Sequence, residues 1–151
     1  MKLTVEDNSL QVANNFERQV REQPQIVKTA LGRTAEFLMF IIKQRTKKGK
    51  DFQGNSFVRY TSEYAKIRKD KGLSTTPDLF FKGNMLSNMT QKSSSSQAEI
   101  YFSAVRENKK ALGNQRSRKF FAIGDREKPI LMNKFMEEYN KLSKIWANEK
   151  I

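Results

Sequence analysis

The chain has 151 residues, of which 37% are hydrophobic and 11% aromatic. This is enough for one domain with a modest core, and it excludes a fully disordered chain. A net charge of +13 attracts polyanions, namely nucleic acid, membrane headgroups or acidic proteins, without choosing among them. The alternative is a basic surface that only keeps the protein soluble and has no single partner. The absence of Cys and His excludes disulfides, sulfur-based zinc sites and every Ser–His or Cys–His catalytic pair.

The N-terminal third is predicted to be helical after a short arm. Residues 1–7 alternate loosely and indicate a short strand or a loose arm, extending at most over 1–10. The apolar residues Val12, Phe16 and Val20 recur every four positions and predict a first helix over residues 10–20, which Pro24 interrupts. A second helix is predicted from residue 27 to 42, with the apolar run 37–42 almost fully buried.

That run is far too short to cross a membrane, and no signal peptide is apparent behind the first residues. We therefore expect a soluble intracellular protein with no membrane partner.

Basic residues crowd the end of the second helix, over residues 43–50. They suit either the negative end of the helix dipole or contacts with phosphate, and the sequence leaves both open. Residues 51–60 are rich in turn-forming and aromatic residues, and Phe52 and Phe57 are predicted to anchor this loop on the core.

The middle of the chain alternates short helices and strands. Thr61 is predicted to begin a short helix with a basic outer side over residues 66–71, which Gly72 ends. A strand or turn and a brief helix follow over 77–89, with Met85, Leu86 and Met89 inward. Residues 93–96 indicate a hairpin tip, and residues 97–105 alternate as a strand does.

The last third begins with a basic stretch of low hydrophobicity, predicted to be a mobile, exposed loop over residues 104–119. A short strand is expected over 120–123, and Asp125 is expected to cap a C-terminal helix. The apolar face of that helix consists of Leu131, Phe135, Tyr139, Leu142 and Trp146. These elements predict one α+β domain over 1–151, with N-terminal helices, a small antiparallel sheet with long loops, and a C-terminal helix.

The sequence offers little for catalysis. The acidic pairs Glu6–Asp7 and Glu137–Glu138 lie outside any recognisable cleft, and the second is expected on a solvated helix face. We find no phosphate-cradling Gly-rich loop and no metal-ligand cluster. We therefore expect a protein that is not an enzyme and needs neither cofactor nor metal.

Three basic clusters, over residues 43–50, 66–71 and 106–119, predict a surface that faces a protein partner or DNA. The residues that we expect on this surface are Lys47, Lys48, Arg59, Lys66, Arg68, Lys109, Lys110, Arg116 and Arg118.

Several short segments occur in a recognisable order from the second helix onward. They are Asp51-Phe52-Gln53-Gly54-Asn55-Ser56-Phe57, then Tyr60, Thr61, Tyr64, Ala65 and Lys69, then Leu79, Gly83 and Leu86, and finally Arg118-Lys119-Phe120-Phe121-Ala122-Ile123-Gly124. Over residues 35–145 this order resembles the phage virion morphogenesis family, which includes tail completion and head–tail joining proteins. The chain departs from the family pattern at Phe57, where a Trp is common, and in lacking a proline before Arg118.

The resemblance implies a small α+β subunit of the phage neck that assembles into a ring or caps a tail tube. Its partners would be other neck, portal and tail proteins, with contact to channel DNA possible for the basic surface, and its assembly would take place in the host cytoplasm. The alternatives are a sequence-nonspecific nucleic-acid-binding protein, supported by the three basic clusters, and a nuclease with carboxylate-bound magnesium, for which no convergent acidic residues are found.

Overall fold

The protein is described by a computed structural model over residues 1–6 and 23–149. The predicted α+β class is confirmed. The helices and strands, in chain order, are β1 (Lys2–Glu6), α1 (Pro24–Lys47), α2 (Ser62–Asp70), α3 (Asn84–Ser87), β2 (Met89–Ser93), β3 (Gln97–Phe102), α4 (Val105–Ser117) and α5 (Glu127–Glu149). The helix predicted over residues 10–20 lies outside the described residues.

The sheet has the strand order β1-β3-β2, and both pairings are antiparallel. The first residues were expected to form either a short strand or a loose arm. Residues 2–6 form a strand, in which Leu3 lies opposite Ile100. The predicted hairpin tip joins β2 to β3, where Ser94 donates its N–H to the carbonyl of Gln97 at 2.8 Å. Ala98, Ile100 and Phe102 of the central strand are buried, as predicted, but Glu99 of the opposite face is buried as well, in ion pairs with Lys2 and Lys92.

Helix α1 lies between the sheet and α5 and forms the centre of the core. Pro24 occupies its first turn, where a missing N–H costs nothing. Leu38 and Ile42 are fully buried, but the prediction that residues 37–42 are almost wholly buried is wrong, because Phe40 is 56% exposed. A helix turns 100° per residue, so a helix covered on two sides still presents part of such a run to solvent.

Helix α5 packs against α1 through Leu131, Phe135 and Tyr139, as predicted. Trp146 lies within α5, but its side chain is outside what the structure describes. The prediction that Glu137 and Glu138 both lie on a solvated helix face is wrong for Glu138. Glu137 is exposed, whereas Glu138 is buried. Glu138 accepts hydrogen bonds from Lys134 at 2.7 Å and Arg33 at 2.9 Å.

The entry into α5 uses a different cap from the one predicted. The Asp125 carboxylate accepts from Lys128 Nζ at 2.7 Å. The Gly124 carbonyl accepts from the backbone N–H of Glu127, and Glu127 Oε2 accepts from the Gly124 N–H at 2.7 Å. Gly124 also touches the carbonyl of Phe52, where any Cβ would overlap that oxygen.

The segment 104–119 is not a mobile loop but mostly the 13-residue helix α4. Only Ala111 and Glu107 of this helix are buried, so its pattern has almost no apolar face. Its Lys, Arg, Glu, Gln and Ala residues nevertheless have high helix propensity. This mostly polar segment therefore forms a helix in which Glu107 and Ala111 are the buried residues.

The strand predicted over residues 120–123 is also absent from the structure. Side chains satisfy this backbone instead: Gln115 Oε1 accepts from the N–H of Phe121 at 3.0 Å, and Gln115 Nε2 donates to its carbonyl at 3.2 Å. Arg45 donates to the carbonyls of Phe120 and Ala122 and forms an ion pair with Glu127. The Arg45 side chain therefore joins the end of α1 to the start of α5, rather than facing phosphate.

No helix in the described part of the chain is both long and apolar enough to cross a membrane.

Candidate functional site: a basic aromatic cleft

A cleft of about 770 Å³ lies between α2, the segment 79–85 and α4. Six cationic residues contribute to its lining, and none of the described lining residues is acidic. They are Arg59, Arg68, Lys82, Arg106, Lys110 and Arg118. We call this site the basic cleft. Its volume is typical of a site that takes a small molecule or a few residues of a peptide.

Helix α2 positions the aromatic wall of the basic cleft. Thr61 is its N-cap, and the hydroxyl accepts from the N–H of Tyr64 at 3.3 Å, as predicted for this helix start. Tyr64 and Arg68 lie four residues apart on one side of the helix, and Tyr60 precedes its N-cap. The two tyrosine rings meet edge to face, with centroids 4.9 Å apart.

Arg68 is buried, with 1% of its surface exposed, so the prediction that it belongs to the exposed basic surface is wrong. Its guanidinium donates to the carbonyl of Ser74 at 2.6 Å, the carbonyl of Phe80 at 2.9 Å and Asp78 Oδ1 at 2.8 Å. The same group lies 4.8 Å from the centroid of the Tyr60 ring. Arg68 therefore holds the segment 74–80 in place, with three of its five N–H groups bonded to that segment.

The segment held by Arg68 is bent sharply. Leu79 has a φ of 54°, a left-handed conformation that costs a non-glycine residue free energy. Its neighbours Asp78 and Phe80 both bind Arg68, and Phe80 N–H also donates to Asp78 Oδ1 at 3.0 Å. These bonds offset the strain and present Leu79 to the basic cleft.

Arg118 closes the cleft from the end of α4. Its Nε donates to the carbonyl of Val58 at 3.0 Å, and its guanidinium carbon lies 4.9 Å from the centroid of the Tyr60 ring. Two guanidinium groups thus contact one tyrosine. Burial raises the pKa of Tyr60 above 10.0, and the positive charge of Arg68 opposes that rise.

Three other cations of the basic cleft are accessible to a partner. Arg59, Lys82 and Arg106 are exposed, and among the described residues no side-chain hydrogen bond or ion pair engages them. Lys110 is paired with Glu107 at 2.9 Å. The site therefore combines a fixed basic wall, made by Arg68 and Arg118, with three cations available to bind an anion.

The structure brings together four of the nine residues predicted for the basic surface, namely Arg59, Arg68, Lys110 and Arg118. The remaining five lie outside the cleft lining: Lys47, Lys48, Lys66, Lys109 and Arg116. Lys48 borders a smaller hollow of about 490 Å³ beside the loop 49–60. Of the two predicted loop anchors, Phe57 is buried and Phe52 is half-buried, and the Phe52 N–H donates to the Lys119 carbonyl at 3.1 Å.

Sequence reasoning missed Tyr60, Tyr64, Lys82 and Arg106 as members of the site. The spacing of Tyr64 and Arg68 was a usable signal, because side chains four apart share a helix face. No comparable signal marked Lys82, which reaches the site through the tertiary fold.

No group of three or more acidic residues within residues 1–6 and 23–149 is placed to hold a metal ion. Comparisons of the chain with protein-family models, with curated proteins and with solved structures found no match.

Proposed function

We propose that this chain is a non-enzymatic structural protein of a bacteriophage particle that acts at the junction between head and tail. In this role it would be a subunit of a ring in the neck, or of the tail completion structure, and would join the tail to portal and head-completion proteins. Its assembly would take place in the host cytoplasm and its final location would be the virion.

The observation that carries the proposal is the convergence of the segments that resemble the phage family. They are far apart in sequence, yet Tyr60, Thr61, Tyr64, Leu79, Gly83 and Arg118 all line the basic cleft. The first and last segments also meet directly, through the Phe52 N–H and the Lys119 carbonyl. The gathering of these separate segments around one cleft is what supports the proposal.

The chemistry of the site favours binding over catalysis. The described lining carries no carboxylate and the chain has no His or Cys, so the cleft supplies neither a common general base nor a strong nucleophile. Its cations suit an anionic partner. A joining protein needs such complementary surfaces and no reactive group.

A nucleic-acid-binding role remains the second candidate, because three cations of the cleft have no side-chain partner within residues 1–6 and 23–149, and the net charge is +13. Counterion release would make such binding fall steeply with salt. The engagement of Tyr60 by two guanidinium groups argues against a base-stacking site, which needs free ring faces.

The test is a nonsense mutation in the gene for this chain, with the gene supplied in trans as the control. The expected result, by electron microscopy of the lysate, is the accumulation of separate DNA-filled heads and tails, and complementation restores joined particles. Normal infectious particles without the chain, or arrest before any DNA is packaged, would contradict the proposal.

A further inference from the structure

The basic cleft carries positive charge that the fold does not neutralise. Arg68 is paired with Asp78 and donates to two backbone carbonyls, and Lys110 is paired with Glu107. Arg59, Lys82 and Arg106 have no side-chain partner among the described residues; they come from three different segments and share one concave site. Concentrating like charge in this way is unfavourable for the isolated chain, so the arrangement suits an anionic occupant.

The same cleft has an apolar part. Met85 is buried at its floor, Leu79 is half-buried, and the Phe81 ring is 39% exposed. An occupant that is purely charged would leave this surface wet. An occupant with one apolar side chain among its anionic groups would cover it, which is favourable by about 25 cal/mol per Å² of apolar area.

The tyrosine rings of the cleft do not favour a nucleic-acid strand, which leaves the exposed Phe81 as the ring on which the oligonucleotide probe below tests base stacking. Tyr60 and Tyr64 contact each other, and both lie near the Arg68 guanidinium, at 4.8 Å and 5.9 Å from the ring centroids. Sequence-nonspecific binding of single strands relies on bases that stack on free aromatic faces. A duplex is too wide to enter a cleft of about 770 Å³, so it would reach only the rim.

We propose that the basic cleft receives an acidic peptide segment with one aromatic or large apolar side chain, supplied by a neighbouring protein of the particle. Carboxylates of the segment pair with Arg59, Lys82 and Arg106, and its apolar side chain packs on Leu79, Phe81 and Met85. The identity of the neighbour as a virion protein rests on the proposed function. The chemistry of the occupant rests on the cleft alone.

The test is fluorescence anisotropy of the full chain with two labelled heptapeptides, Asp-Glu-Asp-Phe-Asp-Glu-Asp and its analogue with Ser in place of Phe. A thymidine oligonucleotide of equal charge is the third probe. The cleft variant is Lys82→Glu with Arg106→Glu. The matched control is Lys66→Glu with Arg116→Glu, which makes the same charge change on exposed residues outside the cleft lining.

We expect the Phe peptide to bind about 10-fold more tightly than the Ser peptide, the ratio that burial of one apolar side chain supplies. The cleft variant should weaken its binding by about 10-fold or more, and the control variant by less than about 2-fold, because exposed charges at a distance are screened. Circular dichroism confirms that both variants remain folded.

Three results would overturn this inference: equal losses in both variants, equal affinity for the two peptides, or tighter cleft-dependent binding of the oligonucleotide. A failure here is distinguishable from a failure of the proposed function. If the chain is a component of purified particles but the Phe peptide does not bind to the cleft, only the inference about the cleft is overturned.

Discussion

Replacement of Arg68 by Met tests whether this buried guanidinium organises the cleft. Met has a similar length and leaves little cavity, so the loss is mainly that of the three hydrogen bonds to Ser74, Asp78 and Phe80. Each hydrogen bond to a charged group is worth about 1.5–3 kcal/mol, but the three are not additive. Breaking a buried ion pair by removing one partner costs about 3–5 kcal/mol, and we expect a loss of free energy of unfolding in this range.

The assay is urea denaturation of the full chain with linear extrapolation to water, for the wild type and Arg68→Met. Arg116→Met is the matched control, because Arg116 is exposed and the described residues give it no partner; its effect should stay within about 0.5 kcal/mol. A cycle that adds Asp78→Asn to Arg68→Met should show a coupling of about 1–3 kcal/mol, since the two side chains are in direct contact at 2.8 Å.

A loss below about 1 kcal/mol for Arg68→Met, equal to that of the control, would refute the reasoning, because a buried guanidinium with an ion pair and two carbonyl acceptors cannot be removed at so small a cost. A coupling near zero with Asp78 would show that the network is not formed in solution.

Three further predictions concern stability. Gly113→Ala should raise the free energy of unfolding by about 0.5–1 kcal/mol, measured by urea denaturation, because Gly113 lies in α4 with open space around it; no gain would favour the mobile loop. Gly124→Ala should lower it by about 1–3 kcal/mol in the same assay, because the added methyl overlaps a backbone carbonyl, and a neutral effect would count against that contact. Hydrogen bonds from Lys134 and Arg33 hold the pKa of Glu138 below its ordinary 4.5, so this carboxylate stabilises the fold above that pH, and the contribution is lost as pH falls through the lowered value. Glu138→Gln should therefore reduce the acid dependence of the unfolding free energy, and an unchanged pH profile would contradict the assignment.

The strongly periodic parts of the fold could be predicted from the sequence. Ala98, Ile100 and Phe102 recur at every second position of the central strand, and Leu131, Phe135 and Tyr139 recur at helical spacing, so hydrophobic pattern alone located β3 and α5. Thr61 and Gly72 marked the two ends of α2 because capping is a local property of the chain.

The errors arose where polar contacts, rather than hydrophobic pattern, decide the structure. Helix α4 buries only Ala111 and Glu107, so hydrophobicity gave no sign of it, although its helix propensity did. Arg68 was assigned to the exposed basic surface because a buried arginine looks the same in sequence as an exposed one, and the role of Arg45 in the cluster 43–50 was left open between the helix dipole and phosphate. The acceptors of both arginines are mostly carbonyls of segments that only tertiary folding brings near.

The candidate site was predictable in kind but not in membership. Net charge and clustering indicated a basic surface, and Arg59, Lys110 and Arg118 do share one cleft. The predicted surface also included residues outside the cleft lining, such as Lys47. Basic residues that are close together in the sequence do not have to lie on the same surface of the folded protein.

The central claim, a structural role at the junction of phage head and tail, is tested most directly by mass spectrometry of gradient-purified particles. Peptides of this chain are quantified against the major capsid protein. The account predicts a low and fixed copy number, on the order of one symmetric ring per particle. Absence of the chain from purified particles, with its recovery on DNA from infected cells, would contradict it.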